Sequence, residues 1–348
     1  MLSRIRPLRL TTLFPALLGL IVAGTAAQAA TLVVANKAEA TASLIDLASG
    51  RVVATLPTGD GPHEVGISPD GRLALVTNYG AKNADGRSLT LIDIPAAAVV
   101  KTIELGDYQS PHGIEWIDET RVAVTAEDDK ALIVVDVETG EVVQTIYTEQ
   151  EISHMVALDR EARRAYLTNI GSGSLTVLDL ENGVRVNNIA TGEGAEGVAV
   201  AGTQIWVTNR GADTLTVLDA ETLATLKEIP SAGFPIRAAA TAKGQILVTR
   251  ARAGDLVIYD TNSLDEVRTV AFDLKSMDVD ERLFGDRFGD SSVPIGVVVD
   301  NTGGRAFVAH ANADVITEVD LASGEIVRTL RAGREPDGMG YSPLATVR

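Results

Sequence analysis

The chain has 348 residues, a formal net charge of −17 at pH 7 and no cysteine. The lack of cysteine excludes disulfides, thiolate metal ligands and a cysteine nucleophile. An acidic surface repels phosphate backbones. Aromatic residues make up only 4% of the chain, which argues against a base-stacking groove. We therefore expect no nucleic-acid partner.

The first 29 residues differ in composition from the rest. Three arginines up to Arg9 precede an apolar run over 13–23, and the small-residue pattern AQA follows at 27–29. This order is typical of a secretory signal peptide that is cut after position 29 or 30. The alternative is an anchoring helix, but the run is too short to favour it. We therefore predict export to the periplasm and no membrane span after signal removal.

The remaining sequence repeats one unit. Segments 74–94, 165–180 and 205–220 each contain a β-rich run that ends in Thr-Asn, a polar turn with glycine, and a second run that ends in Asp. A third run such as VVATLP and a fourth such as PHEVGIS complete the unit. Short strands joined by Gly, Pro, Asn and Asp turns predict one four-stranded antiparallel sheet per unit.

The start of the PHEVGIS run marks each unit. Equivalent positions recur about every forty residues, and four strands at that period are typical of a β-propeller blade. The seven markers are His63, His112, His154, Glu196, Ile236, Ile295 and Asp337. We predict an all-β, seven-bladed propeller as a single domain over residues 30–348. One blade, shared by the N- and C-terminal strands, would close the ring and remove exposed strand edges.

The repeats also resemble a known family. The segments VTNYG, LTNIG and VTNRG, together with ASLIDLASGRVVATLPTG and GISPDGR, resemble the YVTN-repeat (YncE-like) β-propellers, an exported seven-bladed family. The resemblance covers about residues 31–343, although VTAED, VTRAR and VAHAN lack the usual Asn. Members of such families range from binding scaffolds to lactone-opening enzymes and metalloenzymes. The resemblance therefore implies the fold and leaves the function to be argued from a site.

The marker positions predict a metal site. In a propeller they ring one mouth of the central channel, where ligand sites of closed β-structures lie. Five neighbouring markers carry metal-capable side chains and the other two are apolar. Imidazole and carboxylate ligands suit a divalent ion such as Zn²⁺ or Cu²⁺. The predicted metal ligands are His63, His112, His154, Glu196 and Asp337.

A wider ring is predicted at the ends of the Thr-Asn runs. It comprises Asn36, Asn78, Glu127, Asn169, Asn209, Arg250 and His310. The predicted ligand-binding residues, which would hold a small anionic molecule, are Arg237, Arg250, His310 and Glu127. If the site is catalytic, a metal-activated water could open an ester or lactone. The candidate catalytic residues are then His112, Glu64 and Arg237.

Two other interpretations stay open. In a regular strand the histidines lie on the same face of the sheet as apolar residues such as Val65 and Ile67. They could therefore point between blades and satisfy a loop carbonyl. The chain could also be a scaffold for another exported protein, without chemistry.

The segment GEGAEG at 192–197 matches a dinucleotide-binding pattern, but it leads into a strand instead of a helix. We therefore expect no nucleotide cofactor.

The longest interval between markers contains an insertion over about 272–293. It falls in a connection that reaches the channel mouth, and loops of this length in compact domains are usually functional or disordered. Met277, Phe284 and Phe288 are candidates to cap the pocket, and Arg282 and Arg287 are candidates to reach into it. We interpret the insertion as a lid, with a passive flap or a partner contact as the alternative.

Overall fold

The computed structural model describes residues 30–81, 84–161, 163–276, 282 and 284–347, so the predicted signal peptide lies outside the described residues. The described part of the chain forms seven four-stranded antiparallel sheets, which are the blades of a propeller. Among the described residues, no helix has the length and apolar character needed to cross a membrane. The predicted all-β, seven-bladed fold is confirmed.

We number the blades in chain order, and each contains four strands. Blade 1 contains β1 (Thr31–Asn36), β2 (Thr41–Asp46), β3 (Arg51–Pro57) and β28 (Pro336–Ser342). Blade 2 contains β4 (Pro62–Ile67), β5 (Leu73–Ala81), β6 (Ala84–Asp93) and β7 (Ala98–Glu104). Blade 3 contains β8 (Pro111–Trp116), β9 (Arg121–Ala126), β10 (Ala131–Asp136) and β11 (Val142–Tyr147). Blade 4 contains β12 (Ser153–Asp159), β13 (Arg164–Asn169), β14 (Ser174–Asp179) and β15 (Val184–Ala190).

The remaining blades follow the same order. Blade 5 contains β16 (Ala195–Ala201), β17 (Gln204–Asn209), β18 (Thr214–Asp219) and β19 (Thr225–Pro230). Blade 6 contains β20 (Pro235–Ala240), β21 (Gln245–Arg250), β22 (Asp255–Asp260) and β23 (Glu266–Ala271). Blade 7 contains β24 (Pro294–Val299), β25 (Arg305–His310), β26 (Val315–Asp320) and β27 (Ile326–Arg331).

The ring closes through the chain ends. Strand β28 pairs antiparallel with β1, and Thr31 lies opposite Ser342. The inner strands β4, β8, β12, β16, β20, β24 and β28 each contact the next, so they surround the channel. Apolar side chains of neighbouring blades pack between the sheets, and Trp116, Tyr166 and Trp206 are fully buried there. The expected closure by a shared blade is therefore present, and it leaves the channel mouths as the concave surfaces of the ring.

The aspartates that end the third strand of each blade have a structural role. Each carboxylate accepts a backbone N–H two or three residues further along, as Asp136 does from Glu138 and Thr139. The seven residues are Asp46, Asp93, Asp136, Asp179, Asp219, Asp260 and Asp320. Short carboxylates stabilise such turns by replacing a backbone acceptor.

The threonines of the repeat connect adjacent blades at the inner strands. Thr125 Oγ1 accepts the N–H of Gly113 at 2.8 Å and donates to the carbonyl of His154 in the next blade at 2.6 Å. Thr208 makes the same pair of bonds with Gly197 and Ile236. A Cβ on Gly113 would lie 2.7 Å from the His154 carbonyl oxygen, so the close approach of the strands requires glycine there. This threonine bridge fixes the backbone on which the marker side chains stand.

Replacing Thr125 by valine is expected to lower the free energy of unfolding by about 1–3 kcal/mol, because it leaves a buried N–H and a buried carbonyl without a partner. Urea denaturation monitored by tryptophan fluorescence measures the change. Thr125→Ser keeps the hydroxyl and serves as the matched control. Equal losses for valine and serine would show that packing, and not the bridge, is what matters at this position.

Candidate functional site

A β-bulge at the start of every inner strand directs the marker side chain toward the channel mouth. The register of β8 against β9 shifts between Pro111 and Ile114, and the markers of the other blades lie at corresponding shifts. The residue two positions before each marker has a positive φ, as Ser110 does at 52°. A bulge places two residues opposite one and re-aims the side chain. Strand parity alone therefore could not predict where these side chains point.

The three marker histidines meet at the mouth as a stack. The ring centroids of His63 and His112 lie 3.9 Å apart, and those of His112 and His154 lie 3.6 Å apart. All three are buried, at 6%, 1% and 7% relative exposure respectively. The predicted convergence of these side chains on one face is present, and the hydrogen-bond partners of the rings in the described part of the chain are other side chains.

A second ring of side chains lies one residue beyond the Asn position of each repeat. It supplies Lys37, Tyr79, Glu127 and Arg210 to the same cavity. Of these four residues, the sequence analysis predicted only Glu127. In the other repeats it placed the ring at the Asn itself, one residue too early. The Asn side chains instead bond to the next strand, as Asn209 Nδ2 does to Thr216 Oγ1 at 2.9 Å. Glu127 lies one residue after the end of its strand, and the same position in the other repeats would have predicted Lys37, Tyr79 and Arg210.

His154 lies between two carboxylates. Its Nδ1 bonds to Glu127, and its Nε2 lies 3.0 Å from Glu196 Oε1. Burial alone would lower its pKa, but Glu196 and Glu127 outweigh that effect and raise the pKa above the ordinary value. The Tyr79 hydroxyl donates to Glu127 at 2.7 Å and fixes the outer carboxylate. The two carboxylates therefore stabilise the protonated form of His154.

Glu196 and Arg237 form the floor of the site. Arg237 donates to Glu196 Oε1 at 2.9 Å and to Glu64 Oε1 at 2.7 Å, while Arg210 pairs with the other oxygen of Glu196. Burial would raise the pKa of Glu196, but His154 and the two arginines lower it to about 2. Glu64 comes from blade 2 and Arg237 from blade 6, so this ion pair spans the channel. The pKa of Glu64 is raised, because burial outweighs the effect of Arg237.

His63 and His112 form the neutral part of the cluster. Their Nε2 atoms lie 3.1 Å apart, and Lys37 Nζ donates to His63 Nε2 at 2.7 Å. Burial, with nearby cationic groups, lowers the pKa of both rings well below the ordinary value. His63 Nδ1 lies 3.3 Å from Asp337 Oδ2. Among the described residues, His112 Nδ1 and Asp337 Oδ1 are buried without a hydrogen-bond partner.

Two groups of side chains could hold a metal ion. The first is His63, Glu64 and His112, and the second is His112, Glu127 and His154. Within each group one ligand atom per residue lies within 4.8 Å of the others. His112 belongs to both, so it is the central residue of the cluster. Of the predicted ligands, Glu196 and Asp337 lie beside these groups as hydrogen-bond and ion-pair partners of the histidines.

Two predicted ligand-binding residues lie outside the cavity lining. Arg250 pairs with Asp255 at 2.6 Å in its own blade. The His310 Nε2 lies 2.9 Å from Thr317 Oγ1, and its Nδ1 lies 2.9 Å from Ser292 Oγ. Both residues occupy the Asn position of the repeat and bind to the next strand as Asn does. These contacts give both residues a structural role, and their participation in ligand binding stays a prediction.

The cavity at the mouth has a volume of about 460 Å³, and two side chains of the insertion line it. Phe284 and Arg287 line the cavity, while Phe288 packs with Ile236 and Ile295 in an apolar cluster. Arg282 instead binds Asp314 and the carbonyl of Ala311. Met277 lies outside the described residues. Residues 284–288 of the insertion, which the structure describes, therefore lie on the side of the mouth that carries the two apolar markers.

Comparison with known proteins supports the propeller assignment. Residues 24–122 match the model of the YNCE-like beta-propeller family, and residues 118–244 match that of the Cytochrome D1 heme domain. A functionally unknown protein from Desulfotomaculum acetoxidans has a similar crystal structure, with a TM-score of 0.73 and 11% identity over 91% of this chain and 99% of that chain. Comparison with the curated proteins gives no match. Together with the seven closed blades, these findings show that the chain is a seven-bladed β-propeller that is similar to the YNCE-like family over residues 24–122.

Proposed function

We propose that this propeller is an exported, periplasmic protein that binds a divalent transition-metal ion, Zn²⁺ or Cu²⁺, at the channel mouth. The observation that carries the proposal is the convergence of two neutral, buried imidazoles whose Nε2 atoms lie 3.1 Å apart. Two nitrogens that share one tetrahedral ion at 2.0–2.1 Å lie about 3.3 Å apart. His63 and His112 therefore already have nearly the separation that a shared ion requires.

The carboxylates of the cluster complete the donor set. Glu64 lies with the first pair of histidines, and Glu127 lies beside His112 and His154. A neutral imidazole keeps a lone pair for a metal, and burial keeps His63 and His112 neutral. His112 would be the shared ligand, His63 the second nitrogen ligand, and a carboxylate the third. Three protein ligands leave a position open for water or a small ligand.

Lys37 is the competitor of the metal. Its ammonium donates to His63 Nε2, the atom that would bind the ion. The same ammonium lies 3.5 Å from Asp337 Oδ2, so it can shift to that carboxylate when a metal takes the lone pair. Binding of a dication thus requires only a short side-chain movement. The site is consistent with reversible binding in preference to a permanently held structural ion.

The test is isothermal titration of the metal-free mature protein with Zn²⁺ and with Cu²⁺. We expect one ion per chain in the wild type and at least a hundredfold weaker binding in His112→Gln, because glutamine supplies no imidazole lone pair. His310→Asn is the matched control, since it removes a buried histidine outside the cluster and restores the repeat. Lys37→Met is expected to tighten binding about tenfold, because it removes a competing cation.

The opposite results are equally clear. Equal binding by wild type and His112→Gln would place any bound metal elsewhere. If neither the wild type nor Lys37→Met binds the metal, the metal proposal is overturned. Export is tested separately by sequencing the N-terminus of the protein recovered from the periplasm, where a start at residue 30 or 31 is expected.

A haem does not fit this cavity, although part of the chain matches a haem domain model. Both nitrogens of His154 bond to carboxylates, so that ring has no free lone pair for an axial bond. The Nε2 of His112 faces His63 at 3.1 Å, which leaves no room for a macrocycle between them. Axial haem ligation needs an imidazole nitrogen that faces an open slot. The match is therefore a likeness of fold.

A further inference from the structure

The cavity at the channel mouth has two unlike sides. Blades 1–5 contribute the histidines, the carboxylates and Lys37 described above. The side that blades 6 and 7 form carries Ile236 and Ile295, and Phe284 of the insertion also lines the cavity. A bound metal ion would contact only the polar side. The apolar side is therefore available to a second ligand, or to another part of the same ligand.

An aromatic cluster supports the apolar side. The ring centroids of Phe234 and Phe288 lie 4.9 Å apart, and those of Phe284 and Phe288 lie 5.2 Å apart. Phe284 and Phe288 come from the insertion between β23 and β24, whereas Phe234 precedes β20. The three rings pack with Val293 and the two isoleucines. Phe284 and Phe288 of the insertion therefore form an aromatic wall together with Phe234 of blade 6.

Arginines stack on this wall. The guanidinium carbon of Arg287 lies 5.0 Å from the Phe234 centroid and 5.3 Å from the Phe288 centroid. Arg252 lies 5.5 Å and 5.6 Å from the same rings. A guanidinium that stacks on a phenyl face keeps its edge free to bind a carboxylate through two parallel hydrogen bonds. Arg287 also lines the cavity, so that edge is within reach of a ligand there.

We propose that the apolar side of the cavity binds a small amphipathic carboxylate, with the carboxylate on Arg287 and the apolar body against Ile236, Ile295 and Phe284. This inference rests on the proposed function only in that metal and carboxylate share one cavity. The other arginines of the cavity are less suitable anchors. Arg237 and Arg210 are already paired with Glu64 and Glu196. Arg287 makes no ion pair with a carboxylate among the described residues.

The experiment uses the full mature chain freed of metal by EDTA, and its probes are benzoate and hexanoate. Benzamide and hexanamide are the neutral counterparts of similar shape. Ligand-observed NMR titration gives each dissociation constant. We expect each acid to bind at least tenfold more tightly than its amide. Arg287→Met, which retains an unbranched apolar side chain for packing on the rings, is expected to remove that preference. Arg121→Met, at an exposed arginine of another blade, is the control.

The outcomes separate this inference from the metal proposal. Acids that bind no better than amides, or a preference that survives in Arg287→Met, would overturn the carboxylate site. A preference that the wild type and His112→Gln share equally, and that Arg287→Met lacks, would support it. Because the titration is run without metal, that result does not depend on the metal measurement. The carboxylate site would then stand even if the metal titration failed.

Discussion

Replacing Arg237 by methionine is expected to lower the free energy of unfolding by about 3–5 kcal/mol at pH 8, because it leaves buried carboxylates without their counter-charge. Arg237 is 4% exposed and bonds to both Glu64 and Glu196. Glu196 keeps His154 and Arg210 as partners, so Glu64 suffers most. Chemical denaturation of wild type and variant at equal pH measures the loss.

The loss should depend on pH in one direction. The pKa of Glu64 is already raised in the folded protein, and removal of Arg237 raises it further. A carboxyl with a raised folded pKa binds more protons in the folded state, so its unfavourable effect appears as pH rises above the unfolded value. The deficit of Arg237→Met should therefore be largest at pH 8 and shrink toward pH 5.

A double variant gives the control. Arg237→Met with Glu64→Gln removes the carboxylate that the single change leaves uncompensated, and it should recover most of the lost stability. If the double variant is as unstable as Arg237→Met alone, the loss comes from packing and not from charge. A loss of less than about 1 kcal/mol at pH 8 would mean that water reaches Glu64 and that the ion pair does not close the channel.

The fold could be predicted from sequence because each repeat carries its own local signals. The Thr-Asn runs, the Asp turns and the marker strands recur at a period that four strands fill, so an error in one repeat is corrected by the others. The same redundancy predicted that the four strands of blade 1 come from both ends of the chain. The insertion over about 272–293 was recognisable as a break in the period, and its role as a lid stays a prediction.

The site was only partly predictable, for two physical reasons. Side chains at the mouth stand on β-bulges, where the two-residue period that parity arguments need is broken. Positions in the second ring were read one residue early, which led to Asn78 instead of Tyr79. Arg250 and His310 replace the Asn of other repeats and bind to the next strand, and their participation in ligand binding stays a prediction.

The ion pair across the channel shows a limit of repeat-based reasoning. Glu64 and Arg237 were each predicted as candidate catalytic residues, but nothing in a repeat shows which residues face each other across seven blades. Their pairing depends on the diameter of the closed ring. Four of the other five blades carry glycine at the equivalent position, as at Gly113 and Gly338, where a side chain would strike the neighbouring strand, and the fifth carries Met155. A side chain that extends into the channel at this level is therefore a departure from the repeat.

Replacing His310 by asparagine is expected to make the protein markedly less sensitive to acid, without a large change of stability at neutral pH. Burial lowers the pKa of His310 to about 3, and its partners are the Ser292 and Thr317 hydroxyls. Asparagine at this position of other repeats donates to the equivalent hydroxyl, as Asn209 does to Thr216. The variant should therefore fold with the same contacts.

The direction of this pH dependence follows from the pKa of His310 in the folded protein and in the unfolded chain. Between about pH 6.5 and pH 3, His310 binds a proton in the unfolded chain but not in the folded protein, so acidification favours unfolding. One such group costs about 1.4 kcal/mol per pH unit, and on the order of 4 kcal/mol over the whole interval. The difference in unfolding free energy between His310→Asn and wild type should grow by that slope as pH falls from 6 to 4. Parallel pH profiles would mean that His310 is protonated in the folded protein and that water reaches its ring.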